Sequence, residues 1–197
     1  MRCDGHAMAS ETDPAGNPEH PMHHLLMAFD SAASVSGWAA IDDRVMGGVS
    51  RSRLRHDPDG WAVFEGEVSL ERGGGFASVR SAPGRYGLAA DPGLGADFDC
   101  VIEARGDGRQ YKLCLYTDDG FDSVSHQASW TPAAGVWSTA RLPLADFRAR
   151  FRGRERPGTP PLDAARIRQL GLMVAARQAG PFKLELRAIW LESRAAG

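Results

Sequence analysis

The 197-residue sequence has no long run of apolar residues and no excess of either charge. Its uninterrupted apolar stretches are as short as Leu172 to Ala176, against the roughly 20 residues that a membrane-spanning helix needs. Lys and Arg number 23 against 25 Asp and Glu, and the resulting net charge of −2 argues against a surface built for nucleic acid or anionic membranes. The first 24 residues lack the apolar core of a secretory signal and the basic bias of a transit peptide. We therefore expect a cytoplasmic protein without a membrane span.

Cysteine is scarce: Cys3, Cys100 and Cys114 form no C-x-x-C pair. An odd number with this spacing excludes a disulfide framework and a zinc knuckle. The Asp-Gly dipeptide at 107–108 predicts a two-residue turn and hence a hairpin between residues 97 and 117. In that register the side chains of Cys100 and Cys114 point to opposite faces, so we expect two reduced, packed thiols. The inward face of the hairpin would hold Phe98, Cys100, Ile102, Tyr111, Leu113 and Leu115.

The usual catalytic signatures are also missing. The chain has no P-loop, no H-E-x-x-H, no G-x-S-x-G and no G-x-G-x-x-G between a strand and a helix. We expect a protein that is not an enzyme, with no catalytic residue, no metal ligand and no cofactor.

Alternation with a period of two dominates from Leu25 onward. The clearest case has Phe182, Leu184 and Leu186 alternating with charged residues. About ten such segments are separated by turn signals of Gly, Pro and Asp, and only 163–170 resembles a helix, with Asp163 as its N-cap. This pattern predicts an all-β fold, an antiparallel two-sheet sandwich of the jelly-roll type, as a single domain over 25–194. Residues 1–24, which carry four of the six histidines, are predicted to be a disordered tail.

The most unusual segment is 42–50, with the sequence DDRVMGGVS. Its two aspartates suit either a metal or acid-base pair, or a structural role in which Asp43 accepts hydrogen bonds from turn amides. In the structural interpretation Met46 packs against the protein and the two glycines allow close backbone approach.

A second glycine-rich segment, residues 73–80, leads into a strand and gives Arg80 two alternative roles. If Ala77 and Val79 face the core, Phe76 and Arg80 form an aromatic and guanidinium patch on the outside. If Phe76 is buried, Arg80 is drawn inward and needs a carboxylate such as Asp43.

Neighbouring strands carry further candidate binding residues. Tyr111, Gln127 and Trp130 would line the sheet face on which sandwiches of this kind bind carbohydrate, and Arg109 would reach out from the predicted hairpin turn. His126 is a general-base candidate without a recognisable nucleophile. The segment 148–156 holds five arginines, which suits an acidic protein surface or an RNA backbone. The candidate recognition residues are Asp43, Arg80, Arg109, Tyr111, Gln127 and Trp130.

Several segments resemble a known family. They are DDRVMGGVS (42–50) after Trp38, FEGEVS (64–69), GGFASVR (74–80), GDGRQYKL (106–113), LPLADF (142–147), FRGR (151–154) and the stretch 167–186. With these motifs the chain resembles the complex I intermediate-associated protein 30 family, as a bacterial-type member.

This resemblance implies a galactose-binding-like jelly roll. It also implies a non-catalytic assembly factor whose partners are subunits of NADH:ubiquinone oxidoreductase. The alternative function that the sequence supports is a carbohydrate-binding module using Tyr111 and Trp130.

Overall fold

The computed structural model of the protein describes residues 22–88 and 97–194. Strands make up nearly all regular structure in these ranges. They are β1 (His23–Ala28), β2 (Trp38–Ala40), β3 (Arg51–Asp57), β4 (Trp61–Val68), β5 (Ala77–Ser81), β6 (Phe98–Arg105), β7 (Tyr111–Tyr116), β8 (Ser125–Trp130), β9 (Ser138–Pro143), β10 (Arg148–Phe151), β11 (Arg154–Glu155), β12 (Gln169–Val174) and β13 (Gly180–Ser193). The helical elements are α1 (Ala32–Val35) and the 3-10 turns Asp43–Met46, Glu71–Gly73, Leu144–Asp146 and Ala164–Arg166.

Two antiparallel sheets form a sandwich. The six-stranded sheet runs β3-β4-β13-β6-β9, and β1 pairs with the second half of the long strand β13. The seven-stranded sheet runs β11-β10-β8-β7-β12-β5-β2. The predicted all-β, two-sheet architecture is confirmed.

Side-chain alternation explains why these segments are strands. In β13, Phe182 and Leu184 are buried between the sheets, whereas Lys183 is exposed. The core joins the two sheets through aromatic contacts: the ring of Phe64 in β4 lies 4.9 Å from that of Phe182 and 6.4 Å from that of Tyr111 in β7. Burial of one such Phe side chain contributes about 1.5–3 kcal/mol.

The predicted hairpin between β6 and β7 is wrong. β6 pairs with β9 and β13, whereas β7 pairs with β8 and β12, so residues 106–110 cross from one sheet to the other. Asp107 fixes this crossover, because its carboxylate accepts hydrogen bonds from the Tyr111 hydroxyl (3.0 Å) and from the backbone N–H of Lys183 (2.9 Å). The predicted inward-facing set is nevertheless buried. Alternation determines which side faces the core, and it does not identify the neighbouring strand.

Cys100 and Cys114 are buried free thiols, as predicted. Cys100 faces the core, while Cys114 lies on the other side of the seven-stranded sheet. Burial raises the pKa of both thiols, that of Cys114 to about 12. Cys3 lies outside the described residues.

Two predicted boundaries differ from the structure. The first strand begins at His23, two residues before the expected domain start at 25, and residues 1–21 of the predicted tail lie outside the described ranges. Asp163 does cap a helical turn by accepting the N–H of Ala165, but the turn ends at Arg166 and a strand begins at Gln169. No helix in the described part of the chain is long and apolar enough to cross a membrane.

Candidate functional site

Two predicted site residues lie in one row across the seven-stranded sheet. Strand pairing places Gln127 opposite Cys114, Cys114 opposite Gly171, and Gly171 opposite Arg80. The side chains of Arg80, Cys114 and Gln127 point away from the core, because the next residues on their strands lie in it. These core residues are Val79, Leu115 and Ala128. We call this side of the sheet the outer face. At a strand spacing of about 4.8 Å, Arg80 and Gln127 are roughly 14 Å apart on it.

Arg80 fastens a loop onto the outer face. Its guanidinium lies 3.9 Å from the centre of the Tyr116 ring and donates to the carbonyl oxygens of Gly120 (3.3 Å) and Phe121 (2.9 Å). Gln169 adds a hydrogen bond from its amide to the Asp118 carbonyl oxygen (2.8 Å). The residues between β7 and β8 are therefore held against the sheet by side chains of its other strands.

The outer-face alternative for Arg80 is the one that the structure adopts. Ala77 and Val79 lie in the core, so Arg80 points outward. Its aromatic partner is Tyr116, not Phe76, and the alternative ion pair between Arg80 and Asp43 is wrong.

Asp43 organises the loop motifs instead. Its fully buried carboxylate accepts four hydrogen bonds: from the N–H and hydroxyl of Ser50 (3.0 and 2.6 Å), and from the N–H groups of Gly75 (2.8 Å) and Phe76 (3.3 Å). Burial by itself raises the pKa of Asp43, but these hydrogen bonds outweigh it and hold the pKa below 3.8. The carboxylate thereby joins segment 42–50 to segment 73–80.

Asp42 makes a second connection of the same kind. It accepts from the N–H (3.0 Å) and hydroxyl (2.5 Å) of Ser52 and from the N–H of Ser78 (3.0 Å). The lone pairs that a metal ion or a reacting proton would need are thus directed at protein donors. Among residues 22–88 and 97–194, no group of three or more His, Cys, Asp or Glu side chains is arranged to hold a metal ion. The expected packing of Met46 is wrong, because 67% of that residue is exposed.

A basic cleft is lined by Gln127 and other residues of the outer face, together with Arg141, Leu142 and Pro143 of β9, the edge strand of the six-stranded sheet. It has a volume of about 350 Å³, and its wall includes Lys112, Ser129, Arg148 and Arg150. Strand pairing sets Lys112 opposite Ser129 and Gln127 opposite Arg148. Four cations and one carboxylate line the cleft; the remaining charged members are Arg141 and Asp146. We refer to it below as the basic cleft.

Lys112 is the least compensated of these cations. Arg150 pairs with Glu155 (2.6 Å) and Arg141 with Glu192 (2.7 Å). None of the ion pairs among the described residues involves Lys112. Its partial burial and the positive charge of Arg150 lower the pKa of Lys112, and nearby Cys114 offsets this only in part. The ammonium therefore sits in a site that favours a negative ligand.

Most charges on the opposite surface of the sandwich are paired. On the outward side of the six-stranded sheet, five cations lie within ion-pair distance of carboxylates. The cations are Arg53, Arg55, Arg105, Lys183 and Arg187, and their partners are Asp57, Glu65, Glu103 and Glu185. Arg51, at the start of β3, makes no ion pair with the described residues, and with Arg44 and Arg72 it lines a second cleft of about 420 Å³.

Arg109 lies apart from the row. Its guanidinium donates to the carbonyl oxygens of Gln178 (2.7 Å) and Ala179 (3.0 Å) and lies 3.6 Å from the Asp107 carboxylate. It ties the crossover at 106–110 to the turn between β12 and β13, so the structure does not bring it to Arg80 or Gln127.

Tyr111 and Trp130 face the core, contrary to their assignment to a binding face. Their rings lie 6.0 Å apart between the sheets, and Tyr111 is fully buried. Burial and the Asp107 carboxylate raise the pKa of the Tyr111 hydroxyl. His126 is also buried, with Nε2 3.2 Å from the Pro160 carbonyl oxygen. A ring enclosed in this way cannot stack on a sugar at the surface.

Lys112 is the functional candidate that sequence reasoning missed. The predicted hairpin would have paired its strand with β6, but in the structure the two strands lie in different sheets. Its real surroundings come from β8 and β10, which follow later in the chain. The only local signal was the arginine-rich segment 148–156, two members of which line the basic cleft.

Sequence comparison relates the chain to one protein family and to two proteins of other organisms. A sequence profile of the family Complex I intermediate-associated protein 30 (CIA30) matches residues 27–186. Over 190 residues the chain is 28% identical to the Drosophila melanogaster protein "Complex I intermediate-associated protein 30, mitochondrial", with 85% of this chain and 62% of that protein covered. Over 169 residues it is 27% identical to the uncharacterized protein C9E9.15 of Schizosaccharomyces pombe, covering 76% of this chain and 75% of that one. The chain thus spans less than two thirds of the Drosophila relative.

Solved structures identify the fold type. The family 11 carbohydrate-binding module of the cellulosomal cellulase Lic26A-Cel5E of Clostridium thermocellum superposes with a TM-score of 0.58, at 18% identity, covering 89% of this chain and 95% of that one. At this identity the likeness shows the fold alone. It confirms the predicted galactose-binding-like jelly roll.

Proposed function

Because the chain belongs to the complex I intermediate-associated protein 30 family, we propose that it is a non-catalytic protein-binding module that supports assembly of a respiratory complex. Its partners in this proposal are subunits or intermediates of NADH:ubiquinone oxidoreductase. Its contact surface is the outer face of the seven-stranded sheet. The expected location in the cytoplasm remains a prediction.

The uneven compensation of charge on the two sheets carries the choice of surface. Most cations on the outward side of the six-stranded sheet are paired, so a partner that binds over them would have to break existing ion pairs. In the basic cleft, Lys112 has no carboxylate partner among the described residues, and Arg148 donates only to the Ala145 carbonyl oxygen (3.2 Å). A partner that supplies acceptors gains contacts there without displacing others.

A non-catalytic role is supported by how the polar motif residues are used. Asp42 and Asp43 are occupied by hydrogen bonds from serine and backbone donors, and a general base needs a lone pair that can reach a substrate proton. His126 is buried, and its Nε2 is engaged by a carbonyl oxygen.

The alternative function, carbohydrate binding, has the fold in its favour. Sugar binding on a sheet face requires exposed, flat aromatic surface, but Tyr111 and Trp130 are buried. Trp61 in β4 and Trp137, the residue before β9, meet edge to face at 70° and do not form one flat surface. Titration with a glycan panel, followed by tryptophan fluorescence, tests this alternative; saturable binding of any glycan would restore it.

Affinity capture tests the proposed function. The tagged full-length chain, expressed in its native cells, is expected to retrieve subunits of NADH:ubiquinone oxidoreductase. The double variant Gln127→Glu/Arg148→Glu should lose them, because it replaces one neutral and one positive side chain of the cleft wall with two negative ones. A matched control is Arg85→Glu, which reverses an exposed arginine that makes no ion pair with the described residues. Retrieval of no such subunit by the wild type, or equal retrieval by the double variant, would contradict the proposal.

A further inference from the structure

We propose that the basic cleft binds an acidic, extended segment of the partner protein, with Lys112 and Arg148 each pairing with one carboxylate. This inference rests on the proposed function and names the chemistry of its partner. The observation behind it is a cleft of about 350 Å³ with four cations and one carboxylate on its wall. Pockets that take small ligands or side chains have volumes of about 300–1,000 Å³.

In the unbound protein, the Lys112 ammonium lies in an unfavourable environment. A half-buried ammonium without a partner carboxylate costs desolvation free energy, which nearby Cys114 offsets only in part. Arg150 stands near it and adds repulsion. A carboxylate entering the cleft removes both penalties, so binding draws on a free energy already stored in the unbound protein.

The spacing of the cations suggests the form of the ligand. Lys112 is on β7 and Arg148 on β10, with β8 between them and an offset of two residues along it, so their backbones are about 12 Å apart. In an extended peptide, side chains two residues apart lie on one side and about 6.6 Å from each other. The flexible stems of Lys and Arg close the difference. Gln127 and Ser129, on the intervening strand, offer hydrogen-bonding groups to the peptide backbone.

RNA, the alternative anionic ligand, would find no aromatic ring in the cleft on which a base could stack. Proteins that bind single strands combine cations with aromatic rings on which bases stack. None of the residues that line the basic cleft is aromatic. The chain also has a net charge of −2.

The test titrates the full-length chain with a short synthetic peptide of alternating Glu and Thr, using the Gln-Thr peptide as its neutral counterpart. We expect saturable binding of the Glu peptide that weakens as salt is added, and no binding of the Gln peptide. Lys112→Met should lower the affinity for the Glu peptide by about tenfold or more, and Lys112→Arg should retain most of that affinity. Arg85→Ala should leave the affinity unchanged.

Thermal melting separates a binding role of Lys112 from a structural one. Lys112→Met keeps the aliphatic stem and removes an unpaired charge, so the free variant should melt at the same temperature as the wild type or higher. If Lys112 were needed for folding, Lys112→Met would melt at a lower temperature than the wild type. A lower melting temperature together with unchanged peptide binding would overturn the proposal.

Further binding and capture results also test the assignment of the basic cleft. Equal binding of both peptides, or binding unaffected by Lys112→Met, overturns the proposal. Lys112-dependent binding of a uridine oligonucleotide in preference to the Glu peptide would assign the cleft to nucleic acid, and competition by inorganic phosphate alone would assign it to small anions. If Lys112→Met still captures respiratory-complex subunits as well as the wild type does, the cleft assignment fails while the proposed function stands. Peptide binding without any such capture contradicts the proposed function and leaves the cleft chemistry intact.

Discussion

Replacing Asp43 with asparagine should destabilise the fold because one buried carboxylate joins two loop motifs. Asn has nearly the same shape, but only one of its two terminal atoms accepts hydrogen bonds. If the amide nitrogen takes the place of Oδ1, it faces the N–H group of Ser50, which now donates to that oxygen at 3.0 Å and cannot accept instead. The opposite orientation would leave two donors, the N–H groups of Gly75 and Phe76, without a partner and therefore costs more.

The size of the effect follows from that one stranded donor. A buried N–H group without a partner costs about 1–3 kcal/mol, and the free energy of unfolding should fall by that amount. For a domain of this size, 1 kcal/mol corresponds to about 2–4 °C in melting temperature, which gives a fall of roughly 2–12 °C.

Acid should remove the difference in stability between the wild type and Asp43→Asn. Burial by itself raises the pKa of Asp43, yet the hydrogen bonds bring it below the ordinary 3.8. A carboxyl group whose pKa is depressed by folding stabilises the protein above its unfolded-state pKa and loses that contribution as pH falls through the folded-state pKa. The gap between wild type and Asp43→Asn should therefore be constant near neutral pH and narrow below about pH 4.

Chemical denaturation monitored by tryptophan fluorescence measures both effects. Asp30→Asn is the matched control, because Asp30 is exposed, and we expect a change within about 0.5 kcal/mol. An Asp43→Asn chain as stable as this control, or a stability gap that widens in acid, would refute the assignment of Asp43 as the connecting group.

The same geometry supports three more predictions. Gly48→Ala places a methyl group against the carboxylate beneath it, and should lower the free energy of unfolding by about 1–3 kcal/mol; a neutral effect in a urea titration would contradict the close approach. Arg80→Ala removes two hydrogen bonds and a cation–π contact, so limited proteolysis should cut the loop after β7 sooner than in the wild type, and unchanged cleavage there would argue against its fastening role. In a chain with Cys3→Ser, the thiols of Cys100 and Cys114 should react with a disulfide reagent only after denaturation, since burial raises both pKa values; rapid labelling of the native chain would count against this burial.

Local pattern was sufficient to predict the faces of the strands. Ile102 and Leu113 both face the core, as their alternation predicted. The same alternation holds whether two strands pair within one sheet or face each other across the sandwich, and so the hairpin prediction failed. The deciding contacts, from Asp107 to Tyr111 and Lys183, link residues up to 76 positions apart.

The candidate site was predictable to the extent that it depends on local chemistry. A buried Asp beside glycines suits bonding to turn amides, and Asp43 does this. The partner of Arg80, Tyr116, lies 36 residues away and on a strand two positions along the sheet, so no local rule could select it over Phe76. Lys112 gained its surroundings in the same way, from strands that only the folded chain brings together.

Site-specific photo-cross-linking tests most directly whether the outer face of the seven-stranded sheet is the protein-binding surface. A photoreactive residue at exposed Ser129, in the basic cleft, should form cross-links to subunits of NADH:ubiquinone oxidoreductase in native cells. The same residue at exposed Glu67, on the six-stranded sheet, should form none. Cross-links to these subunits from position 67 alone, or from neither position, would contradict the account.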